Sequence, residues 1–302
     1  MKAARSGRNP GPSWGYGFLA WADRWWPRWI FRPGLMIGTW IGLAFMPEQR
    51  RHSRDYLAIV LGRPPTLLEV WRHFFAFTDF LMRMLRAGRG REERCEMAPE
   101  NAAEFEKLLA SSEPALFGTF HFGCSDLLGY LLGGAGRRVA MVRLKVDNSD
   151  ETRLLGDRFS EKVSFLWVND AAQLIFALKG CLDSGESLAL KCDRMEFSAK
   201  TDAFDFLGAR RVFPVTIYHL AILFARPVVF CVALPGDRPD TLHVHASPVF
   251  RADSGRSRAG NLVLAHAHFQ AVLSHLETLV RQHPQLWFNY LPLNPVAPAR
   301  DR

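Results

Sequence analysis

The sequence predicts an α/β fold: a mostly parallel sheet flanked by helices, preceded by an N-terminal apolar helical segment. Two observations carry this. From residue 93 onward, short apolar runs alternate with helical patterns, the texture of β-α-β units around one sheet. Before it, six of the nine tryptophans (Trp14, Trp21, Trp25, Trp26, Trp29, Trp40) crowd into the first 40 residues, within helical rather than alternating surroundings. The chain has 302 residues, 48% of them hydrophobic, enough for a sizeable core and incompatible with wholesale disorder.

Residues 1–12 are rich in Gly, Pro and Arg and read as a disordered basic start. Residues 13–31 and 33–46 read as apolar-aromatic helices broken at Pro33. A short helix over 50–61 follows. Residues 66–87 form a longer one, with Val70, Trp71, Phe74, Phe77, Leu81 and Leu85 recurring at three- and four-residue steps as in a core-facing stripe. In the body, strands are expected at 114–120, 138–143, 163–168, 187–192, 205–207, 227–234 and 241–247. Helices are expected at 99–111, 125–133, 148–159, 170–184, 215–225 and 259–283. No internal repeat or Pro-rich linker appears, so residues 13–92, a membrane-interfacial helical segment, and 93–302, the α/β domain, are expected to form one structural unit.

The charge is uneven. Residues 1–54 hold nine Lys/Arg against two acids, seven of the chain's net eight positive charges. Trp beside Arg suits the boundary between lipid and water, and points to an anionic membrane surface as partner. The uncharged run from Pro33 to Pro47 is shorter than the roughly 20 residues a spanning helix needs, so a segment lying in or on the bilayer is expected. Arg24, Arg28 and Arg32 interrupt the pattern of a secretory signal. Nucleic acid competes for the charge evidence only; tryptophans spread through apolar helices are not a nucleic-acid surface. Five cysteines with no CxxC pair read as reduced thiols, which places the chemistry on the cytoplasmic side.

The most informative stretch is Ala115-Leu-Phe-Gly-Thr-Phe-His121-Phe-Gly-Cys-Ser-Asp126. An apolar strand ends at His121, a tight turn through Gly123 follows, and Ser125 or Asp126 opens a helix. Such loops lie at the carboxyl edge of a sheet, where open α/β folds bind ligands. An imidazole there can take a proton from a substrate hydroxyl near neutral pH. A carboxylate on its other N–H, expected to be Asp126, would fix the tautomer. With no GxSxG elbow, direct attack by a substrate alcohol is favoured over a protein nucleophile. Asp126 as a helix cap beside a satisfied edge histidine is the plain structural alternative.

Other candidates are weaker. Asp193 and Arg194 close a predicted strand, with Lys191 read as an edge charge. His243-x-His245 and His266-x-His268 lack a neighbouring ligand set for zinc, so no metal is expected. Gly15-Tyr-Gly17 follows no strand, and no Walker lysine loop exists, so no nucleotide cofactor is indicated.

His-x4-Asp after an apolar strand resembles the first block of the glycerolipid acyltransferase superfamily, and its Phe-Gly step is similar to the lipid A biosynthesis (lauroyl/myristoyl) branch. In order, Leu188-Ala-Leu-Lys-Cys-Asp193-Arg194, Phe204-Asp-Phe-Leu-Gly208-Ala-Arg-Arg-Val-Phe-Pro214 and Gln285-Leu-Trp287-Phe-Asn-Tyr290 resemble further blocks of that branch. Trp14-Gly-Tyr-Gly-Phe18 and His73-Phe-Phe-Ala-Phe77 look like the acyltransferases of aryl-polyene-type pathways. Two departures stand out: Val215 follows Pro214 where the branch has a Gly-Pro step, and Leu286 separates Gln285 from Trp287.

The resemblance implies a glycerolipid-acyltransferase-like sheet and transfer of a fatty acyl group to a hydroxyl of a lipid-like acceptor. The donor would be an acyl carrier protein or coenzyme A thioester, used as substrate with no resident cofactor. It also implies a place on the cytoplasmic face of a bacterial inner membrane. His121 would be the base and Asp126 its orienter; Arg194, Asp193, Arg210, Arg211, Gly123 and Gly208 would line the substrate site. A non-catalytic lipid- or acyl-carrier-binding protein of the same fold is the alternative.

Overall fold

The computed structural model describes residues 13–134, 136–143, 161–167, 171–195, 198, 200–238, 240–288 and 290–298. The expected basic start and the expected helix at 148–159 lie outside these residues. The chain divides into two compact units. One comprises Met1–Glu93, Lys145–Arg158 and Val280–Leu293, the other Arg94–Leu144, Phe159–Leu279 and Asn294–Arg302.

Among the described residues the first unit is built on four helices: α1 (Ser13–Trp25), α2 (Arg28–Phe45), α3 (Pro47–Leu61) and α4 (Leu67–Gly88). The break between the first two falls at Pro27, not at Pro33. Pro27, with φ −56° and ψ 141°, stands outside α2, and it disfavours helical geometry at Trp26. Pro33 instead lies inside α2, where it removes one backbone bond. Burial of Phe31, Leu35, Thr39 and Leu43 along one face outweighs that loss. A capping box starts α4: Thr66 Oγ1 accepts from Glu69 N–H, and Glu69 accepts from Thr66 N–H. Ala20, Ala22, Phe31, Leu35, Met82 and Leu85 form one buried cluster.

The unit's polar keystone is His73 on α4. Its Nε2 lies 2.6 Å from the Trp287 carbonyl oxygen, which can only accept, so Nε2 carries the proton. Nδ1 then accepts from the Ser53 hydroxyl at 2.8 Å. Tyr290 stacks on the ring at 4.7 Å and donates its hydroxyl to the His73 carbonyl. The His73-Phe-Phe-Ala-Phe77 and Gln285–Tyr290 blocks therefore meet as packing partners.

The helices also leave large apolar side chains outside. Trp25, Trp29 and Phe45 are 65%, 76% and 80% exposed, and Phe18, Trp21, Ile37, Trp40 and Ile41 are exposed as well. Among the described residues no single helix is long and apolar enough to cross a membrane. Helices α2 and α3 would qualify only together, and they bend by 98° at their junction.

The second unit holds a seven-stranded sheet in the order β1-β9-β8-β2-β5-β3-β4. The strands are β1 (Arg94–Met97), β2 (Leu116–Thr119), β3 (Val139–Arg143), β4 (Val163–Trp167), β5 (Ser187–Lys191), β8 (Val228–Pro235) and β9 (Thr241–Ala246). All neighbours are parallel except β8 with β9. The unit's helices among the described residues are α5 (Ala102–Ala110), α6 (Ser125–Gly134), α7 (Ala171–Asp183), α8 (Thr216–Phe224) and α9 (Arg258–Gln282), whose residues from Val280 belong to the first unit.

Two elements depart from expectation. Strand β1 is largely exposed and polar, so it carries no apolar signal. Residues 201–214 form an antiparallel hairpin, β6 (Thr201–Phe206) and β7 (Ala209–Pro214), in place of one strand at 205–207. Leu207 and Gly208 turn it, with φ of 50° and 73°.

Candidate active site

Strands β2 and β5 run side by side with Thr119 opposite Lys191. The pairing reaches one step further, since Cys192 N–H donates to the Thr119 carbonyl. Two residues beyond the last pair, His121 and Asp193 arrive together at the carboxyl edge. Asp193 accepts two bonds from one residue: Oδ2 from the His121 backbone N–H and Oδ1 from Nδ1, both at 2.8 Å. Its carboxyl group is 0% exposed, the imidazole 17%.

The sequence predicts Asp126 on that nitrogen; the partner on Nδ1 is Asp193. The reason is register. Asp126 lies in the first turn of α6, whereas Asp193 continues the strand adjacent to that of His121. Asp126 Oδ1 instead lies 3.2 Å from Lys191 Nζ.

Electrostatics fix the protonation state. Burial alone would raise the Asp193 carboxyl, but the charge and hydrogen bond of His121, with Arg194 and Lys191, outweigh it and hold the group below the usual carboxylate range. Burial, then the Arg194 charge, lowers the imidazole despite the opposing pull of Asp193. Near neutral pH the pair is therefore carboxylate and neutral imidazole. The proton sits on Nδ1, so the lone pair is on Nε2, which has no hydrogen-bond partner among the described residues. The arrangement is that of a general base.

Gly123 is required where it stands. Its φ is +60°, and a Cβ there would meet the Ala233 carbonyl oxygen at 2.2 Å. The loop after His121 crosses β8 in direct backbone contact, and Cys124 N–H donates to that same carbonyl. Gly208, by contrast, serves the hairpin turn, with open space around it.

Arg194 directly follows the buried aspartate and is half-buried. Arg210 and Arg211 lie on the separate β6–β7 hairpin, not on an edge of the seven-stranded sheet. Arg211 is buried and donates to the Asn294 carbonyl at 3.0 Å, while the Arg210 carbonyl accepts from Ala297 N–H. Both hold the C-terminal residues against the hairpin.

Beside the end of β5 a cavity of about 50 Å³ is lined by Leu178, Leu190, Lys191, Cys192, Ile217 and Leu220, among others, and is mostly apolar. Among the described residues no group of three or more His, Cys, Asp or Glu is placed to hold a metal ion. His266 pairs with Asp202 at 2.8 Å. His268 donates from Nε2 to the Pro248 carbonyl and accepts from the Tyr218 hydroxyl.

No family model matches the chain, and no curated protein matches it either. Among solved structures, the 1-acyl-sn-glycerophosphate (LPA) acyltransferase PlsC from Thermotoga maritima is similar to it at 12% identity, over 85% of this chain and 98% of that one, with a TM-score of 0.39. Likeness of that degree assigns neither a family nor an activity.

Proposed function

We propose that the protein is a lipid O-acyltransferase of the glycerolipid acyltransferase type. It moves a fatty acyl group from an acyl carrier protein or coenzyme A thioester to a hydroxyl of a lipid-like acceptor. His121 Nε2 takes the hydroxyl proton as the oxygen attacks the thioester carbonyl carbon. The new C–O bond forms, the C–S bond breaks, and the thiolate leaves with the proton from the imidazolium. Asp193 holds the reactive tautomer and stabilises the imidazolium, while Arg194 offsets charge on the carbonyl oxygen.

The observation that carries this reading is the His121–Asp193 pair, with a basic Nε2 at the sheet's carboxyl edge. No hydroxyl or thiol bonds to that imidazole among the described residues, which favours direct transfer over an acyl-enzyme. The apolar cavity beside β5 suits part of an aliphatic chain. The order of the sequence blocks favours the lipid A branch within this reading.

The working surface in this reading is the anionic cytoplasmic face of a bacterial inner membrane. Its support is the exposed Trp, Ile and Phe side chains of α1 and α2, interspersed with Arg24, Arg28 and Arg32. The test is to incubate the full chain with acyl coenzyme A or acyl carrier protein and vesicles containing a hydroxyl lipid, following thiol release and ester formation by mass spectrometry. Wild type should form ester and His121→Ala should not. Tight binding without turnover in either would replace the enzyme by a lipid- or acyl-carrier-binding protein.

A further inference from the structure

Lys191 closes β5 with its side chain only 15% exposed. Its Nζ donates to the Phe120 carbonyl at 2.9 Å and lies 3.2 Å from Asp126 Oδ1. Phe120 immediately precedes His121, and Asp126 stands five residues after it, in the first turn of α6. One ammonium thus bridges both ends of the segment that presents the imidazole. A surface lysine keeps its head in water and needs neither contact. Drawing the head in costs free energy unless donors are matched, and here a carbonyl and a carboxylate match two of the three.

We propose that Lys191 is a positioning residue of this site, an ion-pair clamp that ties the Phe120 carbonyl to Asp126 and so fixes the strand-to-helix loop carrying His121. Asp126 is then the clamp's second jaw. The role rests on the acyl-transfer reading for its kinetic consequence only. Among the described residues the charged groups around the imidazole are Asp193, Arg194 and Lys191, all at the end of β5, with Asp126 on α6 facing the ammonium. Lys191 shares the lowering of both His121 and Asp193 with Arg194.

Two substitutions in the full chain test this. Lys191→Met keeps the aliphatic stem without the charge, and Lys191→Arg keeps the charge. Two readouts need no substrate: amide hydrogen exchange over residues 121–125, and the His121 titration followed by NMR on histidine-labelled protein. In the Met variant exchange should quicken roughly tenfold or more as the loop opens. The His121 midpoint should rise as a nearby cation is lost. In the Arg variant both should stay near wild type.

With acyl thioester, the acid limb of kcat/KM should move to higher pH in the Met variant, since the base then protonates more readily, and kcat should fall about tenfold. Wild-type exchange and an unshifted midpoint in the Met variant would overturn the clamp. If that variant does not fold, Asp126→Asn loosens the same loop from its other end, and unchanged exchange there would overturn it equally. Absence of acyl transfer by wild type would sink the enzymatic reading, leaving exchange and titration to decide the clamp.

Discussion

Replacing Asp193 with Asn swaps one carboxylate oxygen for an amide NH2 with almost no change of shape. Asp193 accepts two bonds from His121, one from the backbone N–H and one from Nδ1–H, each at 2.8 Å. An Asn side chain offers one acceptor and one donor. The backbone N–H cannot reverse its polarity, so the amide oxygen must turn to it and the NH2 must face Nδ1. The imidazole then has to accept at Nδ1, which moves its proton to Nε2 and removes the lone pair that would take the substrate proton. A tautomer inversion of this kind, with geometry intact, costs about 10³–10⁴-fold in kcat, or roughly 4–5.5 kcal/mol of transition-state stabilisation. The assay is single-turnover ester formation from acyl thioester, with the tautomer read from imidazole nitrogen shifts. A variant within about threefold of wild-type kcat, or one that keeps the proton on Nδ1, would refute the reasoning.

Gly123→Ala should destabilise the second unit by about 2–4 kcal/mol in urea unfolding, because a methyl at φ +60° would press on the Ala233 carbonyl; an unchanged midpoint would contradict that contact. His73, fully buried, has its pKa lowered to about 4 by desolvation, so the folded protein binds its proton less readily than the unfolded chain. Its contribution to stability is therefore complete above about pH 6.5 and is lost as pH falls towards 4, a loss of about 3 kcal/mol. His121 and His268 are lowered in the same direction, so the difference between wild type and His73→Gln across pH 7.5 to 4.5 isolates the His73 contribution. Trp29→Ser with Phe45→Ser should weaken binding to anionic vesicles by about 10²–10⁴-fold, from roughly 1.5–3 kcal/mol for each of the two side chains if fully buried in lipid. The thermal midpoint should hold, since both side chains are exposed.

The sequence made the β-α-β body legible because its central strands, β2 and β8 above all, are buried on both faces, so each reads as an apolar run between turn signals. Strand β1 stayed hidden because Arg94-Cys-Glu-Met97 sits at an edge and carries no such run. The hairpin was hidden by Leu207, a bulky residue at positive φ where turn reading looks for Asn or Gly. His121 was visible at its strand end, but its partner was not. Asp126, five residues on, competed with Asp193, 72 residues on, and only strand register decides between them. The signal was nevertheless present: Leu116–Thr119 and Leu188–Lys191, paired residue for residue, each end two residues before a chemically active side chain. Lys191 reads as an ordinary edge charge because its two partners, the Phe120 carbonyl just past β2 and Asp126 on α6, lie some 65–71 residues upstream.

The central claim is that a neutral imidazole, oriented by a buried carboxylate, accepts a hydroxyl proton during acyl transfer. The most direct measurement is the pH dependence of kcat/KM for ester formation by wild type, paired with NMR titration of His121 in the same protein. The account predicts that activity rises with pH through a midpoint equal to that of the imidazole and below the usual histidine value, and that His121→Ala abolishes this limb together with turnover. Activity independent of the His121 ionisation, or ester formed equally well by His121→Ala, would contradict it.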